Sequence, residues 1–271
     1  MFFGRSTRLA GVVVAAGGIF FCAEVATGVQ TEIPILPPIE IEVSTQSVRV
    51  SPRALPAKRL APASFVGQGR IVTADGSFPP ALRKAIVDVD KDVRIDAHGL
   101  PACGHKRLSA SDGEEARQAC RESLVGTGSV RISLMYPGSG PATIESALAI
   151  FNGGVRDGVT TLFVHAFASL PTPRALVGKV EVTKRGSGLQ ALVDVPRIAG
   201  GLGSLVGFNL KVRRTYSQRG ERKSLLTAKC PDDVFRLDTS RAELRNETNV
   251  SGKPARTVMS EALLLPCTAR G

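Results

Sequence analysis

An apolar residue stands at every second position in Val130-Arg131-Ile132-Ser133-Leu134. Successive side chains of a β-strand point to opposite faces, so this period predicts a strand with one buried and one solvated face. The same alternation recurs around Val180 and between Phe208 and Val212, and Gly, Pro, Asp and Ser separate the alternating segments. Short strands repeated in this way predict an all-β fold, an antiparallel β-sandwich or a barrel-like variant of it.

Four other segments extend this prediction. Residues 162–167 are apolar on both faces and predict a central strand, and residues 189–193 predict another. Residues 146–151 fit either a strand or a helical turn. Ser111-Asp112-Gly113-Glu114 is a capping-box pattern followed by small residues at helical spacing. The sequence therefore predicts one short helix over residues 111–123 within the β-rich fold.

The first 28 residues have the order of a secretion signal. Arg5 and Arg8 precede a nearly uncharged run that ends at Cys22, and the small residues Ala26 and Gly28 offer a cleavage position. At about 14 residues the run is shorter than the roughly 20 that span a bilayer. We predict cleavage and export, and the alternative is a retained leader that anchors the chain.

The remainder of the chain is predicted to hold one folded domain. Residues 29–62 are rich in proline and indicate an extended entry segment that adds edge strands, and residues 63–271 indicate a single β-rich domain. Without the leader the chain carries 33 basic and 23 acidic residues, no Trp, and few other aromatic residues. This composition disfavours modules that stack sugars or bases on aromatic rings.

Four cysteines remain beyond the leader: Cys103, Cys120, Cys230 and Cys267. Export to an oxidising compartment predicts two disulfides, for which four cysteines allow three pairings. Proximity along the chain favours Cys103 with Cys120 and Cys230 with Cys267. The first of these disulfides would staple the predicted helix to the loop before it.

Several short motifs accompany these elements, among them Gly99-Leu100-Pro101, Phe151-Asn152-Gly153 and the glycine-rich run from Ile198 to Leu205. In these motifs the chain resembles a family of uncharacterised secreted proteins from actinobacteria, over most of its length from about Ile39. That family has no established activity. The resemblance therefore implies secretion and a shared fold, and it assigns no functional residue.

An acidic row is the first candidate for chemistry. Asp88, Asp90, Asp92 and Asp96 are separated by even numbers of positions, which on a strand places four carboxylates on one face, where they could form a calcium site. An EF-hand loop beginning at Asp88 would need Gly at its sixth position and Glu at its twelfth, and neither is present. We favour the alternative, in which the aspartates are solvated and the valines between them are buried.

The three histidines are the second candidate. His98 and His105 lie near Cys103 and, with Cys120, have the donor types of a zinc site. We favour the disulfide, because oxidised cysteines leave only two imidazole ligands. His165 lies inside an apolar strand, where a buried neutral imidazole is expected and a catalytic base is the alternative.

A cationic segment is the third candidate. Residues 211–223 predict a β-hairpin whose turn lies at Arg219-Gly220. Its cations suit an anionic envelope polymer or a membrane surface, and the alternative is a solvated hairpin. The candidates for polyanion binding are Lys211, Arg213, Arg214, Arg222 and Lys223.

Together these patterns predict a secreted or cell-envelope protein with a non-catalytic binding or structural role. The alternative is a secreted hydrolase whose site is assembled from distant residues, although no G-x-S-x-G nucleophile motif occurs. A third interpretation is a subunit of a surface assembly that exposes an unpaired strand edge. We expect no cofactor and no specific nucleic-acid partner, and the sequence does not determine an oligomeric state.

Overall fold

Antiparallel strands make up most of the protein. The computed structural model describes residues 41–135, 138, 140–169, 172–245, 256–259 and 263–270, so the predicted leader lies outside the described residues. Two helices are described, α1 (His105–Ser109) and α2 (Gly113–Ala119). The strands are β1 (Ile41–Ser51), β2 (Ala54–Pro56), β3 (Ala61–Pro62), β4 (Ser64–Thr73), β5 (Ala81–Val89), β6 (Val93–Ile95), β7 (Leu124–Leu134), β8 (Ala142–Arg156), β9 (Val159–Ala168), β10 (Arg174–Arg185), β11 (Gly188–Asp194), β12 (Gly203–Val212), β13 (Thr215–Gln218), β14 (Glu221–Ser224), β15 (Leu226–Ala228), β16 (Val234–Arg245), β17 (Arg256–Met259), β18 (Leu263–Pro266) and β19 (Thr268–Arg270).

Twelve strands form one sheet, with the order β1-β4-β12-β7-β8-β9-β10-β11-β5-β16-β17 and with β18 also paired to β16. All pairings in this sheet are antiparallel. The sheet curls until Val48 and Val50 of β1 pack in the same hydrophobic cluster as Leu263 of β18. It is nearly closed into a barrel, which confirms the predicted all-β antiparallel fold in the barrel-like variant of the predicted sandwich.

The predicted strands are present at their expected positions. Residues 130–134 lie in β7, residues 162–167 in β9 and residues 189–193 in β11. The ambiguous residues 146–151 form the middle of β8. Strand β1, from the Pro-rich segment, lies at one edge of the sheet and belongs to the same compact unit as the later strands.

The outer surface of β8 and β9 is covered, which explains why the middle of each strand is apolar on both faces. Strand β9 directs Leu162, Val164 and Ala166 into the barrel, while Phe163 and His165 alternate with them. Phe163 packs against a cluster formed by α1, α2 and the Cys103–Cys120 disulfide. The helical segment therefore acts as a lid on the outside of the barrel wall.

The helix prediction needs two corrections. Helix α2 ends at Ala119, a 3₁₀ turn occupies Arg121–Ser123, and α1 is an additional helix of five residues. The N-cap is Asp112, one residue later than the sequence pattern indicated. Its carboxylate accepts hydrogen bonds from the backbone N–H groups of Glu114 and Glu115, both at 2.9 Å, and the Glu115 carboxylate accepts one from the Asp112 N–H at 3.1 Å. Aspartate supplies a full negative charge at the helix N-terminus, which serine does not.

Both predicted disulfides are present. Cys103 and Cys120 join the loop before α1 to the end of α2, and Cys230 and Cys267 join the segments that follow β15 and β18. Two disulfides indicate an oxidising, extracellular setting. None of the helices in the described part of the chain is long and apolar enough to cross a membrane.

Asn152 holds the disulfide loop against the barrel. Its side chain is fully buried, and its amide nitrogen donates to the carbonyl oxygens of Leu100 at 3.1 Å and Pro101 at 3.0 Å. Its amide oxygen accepts from the Gly154 N–H at 3.0 Å, across a bulge in β8. The Cys103 N–H donates to the Asn152 backbone carbonyl at 2.8 Å. One side chain thus satisfies three backbone groups.

Candidate functional site

The inside of the barrel holds a partly open apolar cavity of about 430 Å³, which we call the chamber. Its walls consist almost entirely of Val, Leu, Ile, Ala and Phe side chains from strands around the whole sheet. The few polar residues in the described wall lie at or within two residues of a strand end; they are Ser64, Asp90, Asp194 and Arg236. The chamber is therefore an apolar interior with polar residues only near the ends of its strands.

Strand alternation and one irregularity create the chamber. In β12 the register with β7 shifts between Leu205 and Gly207, and this bulge changes which residues face inward. Strict alternation from Phe208 would direct Val206 into the chamber. Leu205 lines the chamber instead, and Val206 does not.

Small residues leave the space that the larger ones enclose. Gly67 and Gly178 lie in the wall, as do Ala166 and Ala191. A Cβ atom added at Gly67 would lie 3.0 Å from the Phe65 ring, so this glycine lets the ring lie close to the β4 backbone. The chamber is thus set by side-chain size as well as by the curvature of the sheet.

An empty chamber of this size would be costly. Unfilled cavities in protein cores are destabilising, because the side chains around them lose packing contacts. Water fills such a space poorly, because it needs two to four polar partners that these walls do not offer. An apolar occupant would recover much of this free energy.

The two ends of the barrel differ. At one end the short strands β3, β15 and β6 form a separate sheet, and Val93, Ile95 and Leu226 from it contribute to the chamber wall. At the other end, where β7 and β9 finish and β10 begins, a second cavity of about 260 Å³ is present. We call this second cavity the vestibule. Leu176 and Ile198 line both cavities, so their side chains stand between the chamber and the vestibule.

The vestibule is more polar than the chamber. Its wall includes Thr172 and Arg174, just before and at the start of β10, and a turn at Ala199 and Gly200 whose φ angles are 48° and 68°. Among the described residues of this wall, Arg174 is the only charged one. Its side chain is exposed and makes no ion pair or hydrogen bond with any residue that the structure describes.

The cationic hairpin forms as predicted, but it lies at the end of the barrel opposite the vestibule. Strands β13 and β14 pair antiparallel, and the turn residues Arg219 and Gly220 have positive φ angles of 53° and 83°. Such angles give the turn the twist that two-residue hairpins prefer. The Tyr216 hydroxyl lies 3.1 Å from the Asp96 carbonyl oxygen and 3.0 Å from that of His98, which anchors the hairpin to the neighbouring loop.

The five polyanion candidates divide into two groups. Lys211, Arg213 and Arg222 are exposed and make no ion pair with a residue in the described ranges. Arg214 is half-buried and donates to the Glu122 carbonyl oxygen at 3.3 Å, with the Glu122 carboxylate at 3.7 Å. The first group therefore has charge available to a partner, whereas Arg214 is already engaged.

Lys223 belongs with the second group. It is half-buried and lies close enough to Asp96 to influence its ionisation. Burial alone would raise the pKa of Asp96, but hydrogen bonds from His98 outweigh burial and lower the pKa, and the Lys223 charge adds a smaller effect in the same direction.

The acidic row does not share one strand face. Strand β5 ends at Val89, so Asp90 and Asp92 lie in the turn before β6. The Asp90 carboxylate accepts from the Asp92 N–H at 2.8 Å and from the Arg236 N–H at 2.7 Å, while Asp88 accepts from the Gln190 side chain at 2.7 Å. Among the described residues, no three of the metal-ligating types His, Cys, Asp and Glu form a group.

Asp92 is buried, contrary to the expectation of a solvated aspartate. Its carboxylate lies 2.8 Å from the Lys91 ammonium and 3.2 Å from that of Lys229. Burial alone would raise the pKa of Asp92, but the two lysines outweigh it and lower the pKa. This ion-paired group fixes the turn between β5 and β6.

The three histidines have different surroundings. His98 Nδ1 lies 2.9 Å from the Asp96 carboxylate, and the His105 ring packs edge-on to Phe163 with 5.5 Å between ring centres. His165 is buried, and its Nε2 lies 3.1 Å from the Ser111 carbonyl oxygen. Burial lowers the pKa of His165, which favours the neutral imidazole. His165 lies under the helices and is not part of the chamber wall.

Sequence reasoning missed both the chamber and Arg174. Comparison of the chain with protein-family models, curated proteins and solved structures gives no match. The function must therefore be inferred from the geometry of the chamber and the vestibule.

Proposed function

We propose that this protein is an exported, non-catalytic binding protein that holds an apolar ligand inside the barrel. The observation that supports the proposal is the 430 Å³ chamber with almost wholly apolar walls. Ligand sites typically measure about 300–1,000 Å³, and barrels of this kind can hold one small ligand. Export is supported by the predicted leader and by the two disulfides.

The volume indicates the size of the ligand. An engineered apolar cavity of about 150 Å³ binds benzene, or about 25 Å³ per carbon atom. On that scale a chamber of 430 Å³ holds about 17 carbon atoms. This is the size of one long alkyl chain.

A neutral fluorescent probe tests the proposal. N-phenyl-1-naphthylamine emits strongly only in apolar surroundings, so its emission should rise when it is added to the folded protein. Ala166→Phe places a large ring in the chamber from β9 and should weaken probe binding at least about tenfold. Ala147→Phe is the matched control, because Ala147 is exposed on the neighbouring strand β8.

Two results would count against the proposal. One is the absence of saturable probe binding to the wild-type protein. The other is equal binding by Ala166→Phe and Ala147→Phe, provided that both variants melt cooperatively. A third result would support the proposal. If Ala166→Phe melts at or above the melting temperature of the wild type, the added ring fills space that was empty.

The exposed cations near the hairpin support a second candidate function, contact with an anionic membrane surface. Lys211, Arg213 and Arg222 lack acidic partners among the described residues, so their charge is available to an anionic partner. Replacing all three with Gln should reduce retention on vesicles that contain an anionic phospholipid, and the loss should be greatest at low salt.

The matched control replaces three other exposed cations, Lys58, Lys184 and Arg185, with Gln. Equal retention of the two triple variants would reject a specific role for the hairpin region. Equal retention of the wild type on anionic and zwitterionic vesicles would reject membrane contact altogether.

A further inference from the structure

We infer that the ligand of the chamber is a single-chain amphiphile with a compact anionic head group, and that Arg174 is the residue that recognises the head group. This inference rests on the proposed function, because it assigns the tail of the ligand to the chamber. It adds that the other end of the ligand, its head group, is anionic.

The two cavities meet at a pair of shared side chains. Leu176 and Ile198 line both the chamber and the vestibule, and they are 6% and 7% exposed. A molecule longer than the chamber would therefore pass between these two side chains and place its end in the vestibule. At the opposite end, residues of the described strands β6 and β15 contribute to the chamber wall, which favours the vestibule as the route.

The two cavities differ in polarity. A chain in the chamber meets apolar side chains, whereas an end group in the vestibule meets Arg174 and Thr172. The ligand that matches both regions has an apolar tail and one polar end. The vestibule volume of 260 Å³ corresponds to about nine water molecules at about 30 Å³ each, so it suits a small head group with some of its hydration water.

The charge of the described vestibule wall is positive. Arg174 supplies it, and no described residue neutralises it. A neutral hydroxyl head group can accept a hydrogen bond from the guanidinium, but it leaves the positive charge uncompensated. A carboxylate compensates this charge, and its two oxygens match two parallel N–H donors of the guanidinium.

The test compares two ligands with the same chain, octadecanoate and octadecanol, by displacement of N-phenyl-1-naphthylamine. The wild type should bind the carboxylate about tenfold more tightly than the alcohol. Arg174→Gln should abolish this preference and leave the affinity for the alcohol unchanged. Arg174→Glu should reverse it, since a second carboxylate in the vestibule repels the first.

Arg185→Gln is the matched control, because Arg185 is an exposed arginine at the far end of the same strand β10. It should retain the wild-type preference. If both ligands displace the probe but with equal affinity in the wild type, or if Arg174→Gln keeps the preference, the head-group inference is wrong and the proposed function stands. If neither ligand displaces the probe, the proposed function itself is wrong.

Discussion

Replacing Asn152 should destabilise the protein more than the loss of one ordinary hydrogen bond does. The side chain makes three hydrogen bonds in a fully buried position, to the backbone of Leu100, Pro101 and Gly154. Each bond contributes about 1 kcal/mol, and a buried partner left unpaired costs about 1–3 kcal/mol. We expect Asn152→Ala to lower the free energy of unfolding by about 3 to 5 kcal/mol.

Denaturant unfolding followed by circular dichroism would measure this change in free energy. Thermal unfolding gives a second measurement: about 1 kcal/mol shifts the melting temperature of a domain of this size by about 2–4 °C, so the melting temperature should fall by about 10 °C. The control is Asn209→Ala, because Asn209 is exposed on β12. If Asn152→Ala cost less than about 1 kcal/mol, as expected for Asn209→Ala, the idea that Asn152 clamps the disulfide loop would be refuted.

A second substitution at the same position separates hydrogen bonding from packing. Asn152→Asp preserves the shape but replaces two N–H donors with an acceptor that faces the Leu100 and Pro101 carbonyl oxygens. Those oxygens disfavour the charged carboxylate, so the folded-state pKa of the new aspartate should be raised. Its deficit relative to the wild type should therefore be small below the unfolded pKa and grow as the pH rises through the folded pKa.

Three further predictions concern the helical lid. Replacing both Cys103 and Cys120 with Ala should lower the free energy of unfolding by about 3 kcal/mol, as expected for a disulfide across 17 residues; an unchanged denaturation midpoint would contradict this. Asp112→Ala should cost about 1 kcal/mol by the same assay, whereas Glu114→Ala, whose side chain makes no cap bond, should cost less. Because burial lowers the pKa of His165, its contribution to stability should be complete above its ordinary pKa and lost as the pH falls through the folded pKa. Urea unfolding should give a lower free energy of unfolding at about pH 5.5 than at about pH 7.5, and His165→Gln should make this difference smaller.

The sequence predicted the strands better than it predicted their closure. Alternation in residues 130–134 identifies a strand with one buried face, but the interior of a barrel and the core of a sandwich require the same alternation. Residues 162–167 were correctly predicted to be a central strand. The reason for their two apolar faces, a chamber on one side and helices on the other, depends on contacts with residues far along the chain.

The candidate site was less predictable than the fold. The chamber depends on small residues on different strands, Gly67 on β4, Ala166 on β9 and Gly178 on β10, and no local sequence pattern shows that all three line one interior. Arg174 is one of many arginines, and it differs from them in lining the same cavity as Ile198. The acidic row does not lie on one strand face, as its spacing predicted, because β5 ends before Asp90 and the chain turns there.

The packing of β1 against β18 has a consequence for how the protein acquires its structure. Val48 belongs to the first described strand and Leu263 to the next-to-last, yet they share one cluster at the place where the barrel closes. Contacts of such long range form slowly, because a large loop must close first. A chain that emerges from its N-terminus onward cannot complete the wall until nearly all of it is present, so the chamber itself forms only at the end of folding.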